Sequence, residues 1–114
     1  AHLITQKHDI DFEIWLAGQP TKGNEAYLTN IERLISQNGL ENKVRIMPFQ
    51  ETPFDFFNAI DVFIMASKNE PIGMVTLEAI LMEKTWIGAD IGGTKEWLDM
   101  VQNKHRYTPG DVYA

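Results

Sequence analysis

Short apolar runs alternate along this chain with stretches whose apolar residues recur at helical spacing. Phe12 to Ala17 (FEIWLA), Val44 to Met47 (VRIM), Val62 to Ala66 (VFIMA) and Trp86 to Ala89 (WIGA) have strand length and lie next to Gly, Pro or polar residues. Asn24 to Gln37 instead places Tyr27, Leu28, Ile31, Leu34 and Ile35 on one helical face. Asn24 is positioned to cap that helix, and Gly39 to end it in the left-handed conformation. Phe54 to Ile60, Val75 to Met82 and Thr94 to Val101 predict three further helices, the first with an aromatic face of Phe54, Phe57 and Ile60. The first eight residues read as a helix tail cut mid-element, and Arg106 to Thr108 as a last short strand.

The strand candidates show no polar alternation, the pattern of strands covered on both faces. The expected fold is therefore α/β: a Rossmann-like parallel sheet with helices on both faces, and residues 1–114 as a single domain. In such sheets ligands bind outside the carboxyl ends of the strands. That directs attention to Gly18-Gln19-Pro20, Pro48-Phe49-Gln50, Ser67 to Gly73 and Asp90 to Gly93.

Composition narrows the chemistry. A net charge of −6 leaves no surplus of Lys and Arg for a phosphate-backbone surface, which argues against nucleic acid. The absence of Cys excludes disulfides and thiolate metal sites and fits a reducing, cytoplasmic compartment. No apolar run approaches the ~20 residues of a membrane span. His2, His8 and His105 are scattered and form no ligand cluster, so no metal site is expected. Trp86 and Trp97, and the Phe54, Phe56 and Phe57 cluster, read as core packing.

The segment Ser67 to Ala79 carries the densest chemistry. Pro71 biases Glu70 away from helical backbone, and Gly73 permits close approach or positive φ just before a helix. The first amides of that helix, from about Met74 to Thr76, lack intrahelical partners and face the strand-end crevice, where a phosphate would gain hydrogen bonds and a favourable dipole. Glu78 lies about one turn, ~5.4 Å, further on. Two carboxylates beside a phosphate make sense when each accepts hydrogen bonds from hydroxyls, and a nucleotide sugar offers hydroxyls on both sides of its pyrophosphate. The alternative reading makes Glu70 and Glu78 solvated surface groups. Gly92-Gly93 is either a turn or part of the site, and Glu96 either a dipole-complementing carboxylate or a site residue.

Ala59-Ile60-Asp61, the following strand, Ser67, Glu70-Pro71, Gly73 and Glu78-Ala79, then Asp90, Gly92, Gly93 and Glu96, with Gly110-Asp111 behind them, resemble the donor-binding half of family-4-type retaining glycosyltransferases of GT-B fold. Ala17-Gly18 with Pro20, and Tyr27 and Leu28 in the next helix, resemble that family's Gly-x-Gly-Pro segment. The resemblance implies a nucleotide-diphosphate-sugar-binding domain over residues 1–114, truncated at its first strand. Sugar transfer to an acceptor would proceed with retention. Glu70 would be the catalytic-site residue on the donor sugar hydroxyls. Gly73, Met74 and Val75 would hold sugar and distal phosphate, and Glu78 the ribose. Gly18, Pro48 and Phe49 complete the implied donor contacts, with Pro48 and Phe49 beside the nucleobase. No cofactor or protein-bound metal is implied.

The departures are specific. No element before Phe12 supplies the family's Arg and Lys for the pyrophosphate, Glu83 replaces a common Gly after the motif helix, and Thr85 a common Pro. Gln19 replaces the second Gly of the Gly-x-Gly-Pro segment, and the Gly common after the second strand is missing around Pro48. The acceptor-binding half is a missing partner in this reading, so these residues alone are expected not to turn over substrate; the full-length parent is expected in the cytoplasm or at the membrane periphery. A non-catalytic nucleotide-binding or regulatory module is the alternative. A response-regulator-like domain is disfavoured by Gly18-Gln19-Pro20 after the first strand, and a dehydrogenase by the lack of Gly-x-Gly-x-x-Gly.

Overall fold

The structure is a computed structural model and describes residues 1–67, 70–102 and 104–111. Lys68 and Asn69, part of the motif segment, lie outside the described residues. The chain comprises two compact units, Ala1–Glu51 and Thr52–Ala114.

In the first unit, α1 (His2–Lys7) precedes β1 (Ile14–Ala17), α2 (Glu25–Gln37) and β2 (Val44–Met47). The two strands pair in parallel, with Ile14 opposite Val44 and Ala17 opposite Met47, so α2 is the crossover between them. Asn24 occupies the N-cap position of α2 but does not cap it with its side chain. Its side-chain amide nitrogen donates to Thr21 Oγ1 at 2.7 Å, which ties the side chain to the preceding turn. The other end closes as expected. Gly39 adopts φ +62°, its N–H donates to Ser36 O at 3.0 Å, and Leu40 N–H donates to Ile35 O at 3.0 Å. This is a Schellman ending, and it buries Leu40.

The second unit holds α3 (Pro53–Ala59), β3 (Val62–Met65), α4 (Met74–Leu81), β4 (Thr85–Ala89), α5 (Gly92–Met100) and β5 (Lys104–Tyr107). Its sheet has the order β3-β4-β5 and is parallel throughout. Phe57, Met65, Ala79, Trp86, Ala89 and Leu98 form its core, and the Phe57 and Phe63 rings meet edge to face at 5.8 Å. Gly88 shares the Trp86 face of β4; a Cβ there would lie 2.7 Å from Trp86 Cζ3 and 2.8 Å from Thr94 Cγ2. Glycine thus lets α5 approach the central strand.

Three expectations need correction. Among the described residues, only the strand β4, which has neighbours on both sides, shows the burial that uniformly apolar runs predict. On β3 the side chains of Val62 and Ile64 are exposed, as are Leu16 on β1 and Ile46 on β2. Phe54 is also exposed, so the aromatic face of α3 contributes Phe57 to the core and not Phe54. Finally, α5 begins at Gly92, and the Gly92-Gly93 pair forms its first turn.

The end of α4 repeats the geometry of α2 with a different residue. Glu83 N–H donates to Ile80 O at 2.9 Å and Lys84 N–H to Ala79 O at 3.0 Å, again a Schellman pattern. Yet the left-handed position is Glu83, at φ 54°. A side chain there costs about 1–2 kcal/mol, partly offset in the unfolded state relative to glycine. Glu83→Gly is expected to stabilise the fold by roughly 0.5–1 kcal/mol, read as a rise in the thermal midpoint; a fall would contradict this account.

Candidate functional site

Glu70 stands where the starts of two helices meet. Gly73 is the N-cap of α4, with φ 71° and ψ 56°. Its N–H donates to Glu70 Oε1 at 3.1 Å, which fixes the carboxylate over the start of that helix. The Glu70 carbonyl accepts from Gly93 N–H in the first turn of α5 at 2.8 Å. Glu70 therefore satisfies one exposed donor at each helix start, through its side chain in one case and its backbone in the other.

A hollow of about 360 Å³ opens beside this joint, lined by Met65, Glu70, Pro71, Ile72, Gly73, Met74 and Val75. Glu70 is the charged residue of the lining, and no Lys or Arg lines it among the described residues. Thr76 and Leu77 N–H both donate to Gly73 O, at 2.9 and 3.1 Å. The amides of Met74 and Val75 have no hydrogen-bond partner among the described residues. Among the described residues the lining thus combines one oriented carboxylate with the two residues whose amides open α4, at the positive end of its dipole. A carboxylate offers about four acceptor positions, so a single bond from Gly73 leaves Glu70 able to take hydroxyl donors.

Four of the sequence-predicted residues, Glu70, Gly73, Met74 and Val75, thus come together. Glu78 does not line this hollow. It is half-buried, four residues after Met74 and hence on the same side of α4. In the first unit, Gly18 lines a separate cleft of about 190 Å³ with Ala17, Pro20, Tyr27 and Leu28, so that sequence segment does converge. Pro48 and Phe49 follow β2, both exposed, with Gln50 Nε2 donating to Pro48 O at 2.7 Å. Glu96 is exposed on α5 and does not line the hollow. No group of three or more His, Cys, Asp or Glu residues that could hold a metal occurs among the described residues.

Sequence reasoning missed the part played by α5. A Cβ on Gly93 would lie 2.3 Å from Pro71 O, so the pair is a close-packing device. Trp97, read as core, is half-buried and its indole N–H donates to Ile72 O at 2.5 Å. The Gly-Gly pair signalled the close approach; nothing local to Trp97 signalled its partner. The other end of α5 is fastened electrostatically. Arg106 Nη2 meets Asp99 Oδ1 in the last turn at 2.8 Å and Lys104 Nζ donates to Leu98 O, while Arg106 Nη1 also reaches Asp90 Oδ1, ahead of the helix, at 3.3 Å. Cations at a helix C-terminus complement its dipole.

The family model described as glycosyl transferases group 1 matches residues 1–114. A lipopolysaccharide core biosynthesis glycosyltransferase, LpsE of Rhizobium meliloti, is 36% identical over 66 residues, 58% of this chain and 18% of that protein. The crystal structure of HepE from Anabaena in complex with UDP superimposes with a TM-score of 0.78 at 29% identity, over 88% of this chain and 28% of that one. The C-terminal domain of a glycosyl transferase group 1 protein, LpcC of Francisella tularensis, gives a TM-score of 0.77 at 20% identity, over 96% of this chain and 57% of that one, a likeness of fold. The architecture is thus the Rossmann-like α/β type of GT-B proteins. The chain spans about a fifth of the length of LpsE.

The hydrogen bond from Arg106 holds the Asp99 carboxyl below the usual aspartate range. A depressed carboxylate contributes stability above its unfolded pKa and loses it as pH falls through the folded one. Asp99→Asn is therefore expected to lower the thermal midpoint at about pH 7 and to make no difference at about pH 2. A gap between the two proteins that persists in acid would contradict the pairing.

Proposed function

The chain belongs to the glycosyl transferases group 1 family, and from that membership we propose that its second unit binds a nucleotide-diphosphate sugar for retaining transfer of the sugar to an acceptor. The observation that carries this reading is the hollow at the start of α4, lined by Glu70, whose carboxylate the Gly73 amide orients, together with Met74 and Val75, whose amides open the helix. Amides at a helix start suit the distal phosphate. Glu70 suits hydroxyls of the donor sugar, since its charge would repel the phosphate unless the two are set apart. Glu78, on the Met74 side of α4, suits the ribose hydroxyls. HepE has been solved with UDP and with UDP-glucose, which supports a donor of this class.

In the first unit, Gly18, Pro48 and Phe49 are proposed as donor-binding residues on the family resemblance. Phe49 presents a ring that is 61% exposed, of the kind on which a nucleobase stacks. No protein-bound metal takes part in this reading. Transfer itself requires an acceptor-binding partner domain and closure that excludes water.

Calorimetry with UDP, GDP and ADP, and with UDP-glucose, separates the two acids. Glu78→Ala is expected to weaken both the free diphosphate and its sugar by about tenfold or more, the worth of a charge-assisted hydrogen bond. Glu70→Gln keeps an acceptor for the Gly73 amide, so it is expected to weaken the sugar conjugate and spare the free diphosphate. Failure of the wild-type chain to bind any of these nucleotides would sink the proposal.

A further inference from the structure

The segment from Glu70 to Gly73 has little of its own to hold it in shape. Pro71 has no N–H, Ile72 is 60% exposed, and Gly73 sits in a left-handed conformation. Its three consecutive carbonyls nevertheless all meet α5. Gly93 N–H donates to Glu70 O at 2.8 Å. Pro71 O occupies the space where a Cβ on Gly93 would stand, at 2.3 Å. The Trp97 indole N–H donates to Ile72 O at 2.5 Å. Gly92 adds to the fit, since a Cβ there would lie 3.1 Å from Glu70 O in a backbone already at φ +57°.

We propose that Gly93 and Trp97 form a latch that holds the Glu70–Gly73 segment in its donor-receiving shape, making Trp97 a positioning residue for the Glu70 carboxylate and the α4 amides. The inference rests on the donor-site reading given above. Trp97 acts at one remove: it touches the carbonyl of Ile72, next to the Gly73 amide that orients Glu70. The indole N–H is the only polar atom of that side chain, so its bond to Ile72 can be removed while a ring is kept. Gly93 acts by having no side chain, which allows the α5 amide to reach a carbonyl that any larger residue would push away.

The test uses Trp97→Phe and Gly93→Ala in the full chain, with Leu98→Ala as a control. Leu98 is a fully buried core residue one position along α5, so its truncation lowers stability while leaving the Gly93 and Trp97 hydrogen bonds to the segment in place. Amide hydrogen exchange is followed without nucleotide, and UDP, GDP and ADP binding by calorimetry. In Trp97→Phe, exchange at Gly73 is expected to quicken roughly three- to tenfold, the scale of one neutral hydrogen bond, while the β4 amides keep wild-type rates. Nucleotide affinity should fall by a similar factor. Gly93→Ala should do the same or more.

Leu98→Ala, in contrast, should quicken exchange across α5 and β4 alike. Gly73 exchange that is unchanged in both latch variants, or that rises only as it does in Leu98→Ala, overturns the latch. If wild type binds nucleotide and the loosened variants bind it equally well, the latch has no part in positioning the donor. Loosened exchange in a chain whose wild type binds none of the three nucleotides overturns the donor-site reading itself and with it this role for Trp97.

Discussion

Everything distinctive in the second unit depends on how closely the first turn of α5 lies against the carbonyls that follow β3. That contact exists because Gly93 has no side chain; the Pro71 oxygen stands where a Cβ would be. From it follow the direction of the Glu70 carbonyl, the satisfaction of an α5 amide, and the position of Gly73 as the first residue before α4. A helix start is ordinarily a cluster of unmet donors. Here one residue meets a donor from each of two helices, which explains how a short loop with an exposed Ile72 keeps a defined shape.

This arrangement also resolves an electrostatic conflict. A carboxylate beside amides that favour anions would ordinarily compete with a phosphate for them. Glu70 takes the Gly73 amide and leaves those of Met74 and Val75 without a partner among the described residues, so the two functions occupy adjacent donors instead of one. A carboxylate held at a known angle loses less entropy when it accepts a hydroxyl than one that must first be immobilised.

Much of this was legible in the sequence, for reasons that can be given residue by residue. Most of the elements follow from apolar spacing and from Gly and Pro punctuation, and β2 has the bounds its pattern predicts, because Lys43 and Pro48 flank a purely local signal; β5, Lys-His-Arg-Tyr, has no apolar run and begins two residues before the expected Arg106. The hollow was legible as well, since Glu70-Pro71 and Gly73 constrain their own backbone. What escaped depends on contacts distant in sequence. The Trp97 partner is 25 residues away. Apolar content marked β1 and β3 as covered strands, but burial depends on neighbours that composition does not encode. Glu83 shows the converse. A common family glycine is absent there, yet the backbone keeps the left-handed turn that glycine would favour.

The sheet order has a practical outcome for handling residues 1–114 by themselves. β3 is an outer strand of its sheet, short and β-branched at Val62 and Ile64, with both of those side chains in water. Such rims recruit further strands, and concentration drives that recruitment. Opposing it is a chain-wide excess of six negative charges, whose mutual repulsion salt weakens. For that 114-residue stretch, solubility should therefore decline as ionic strength rises, and dilute, low-salt buffers are the conditions in which single molecules persist.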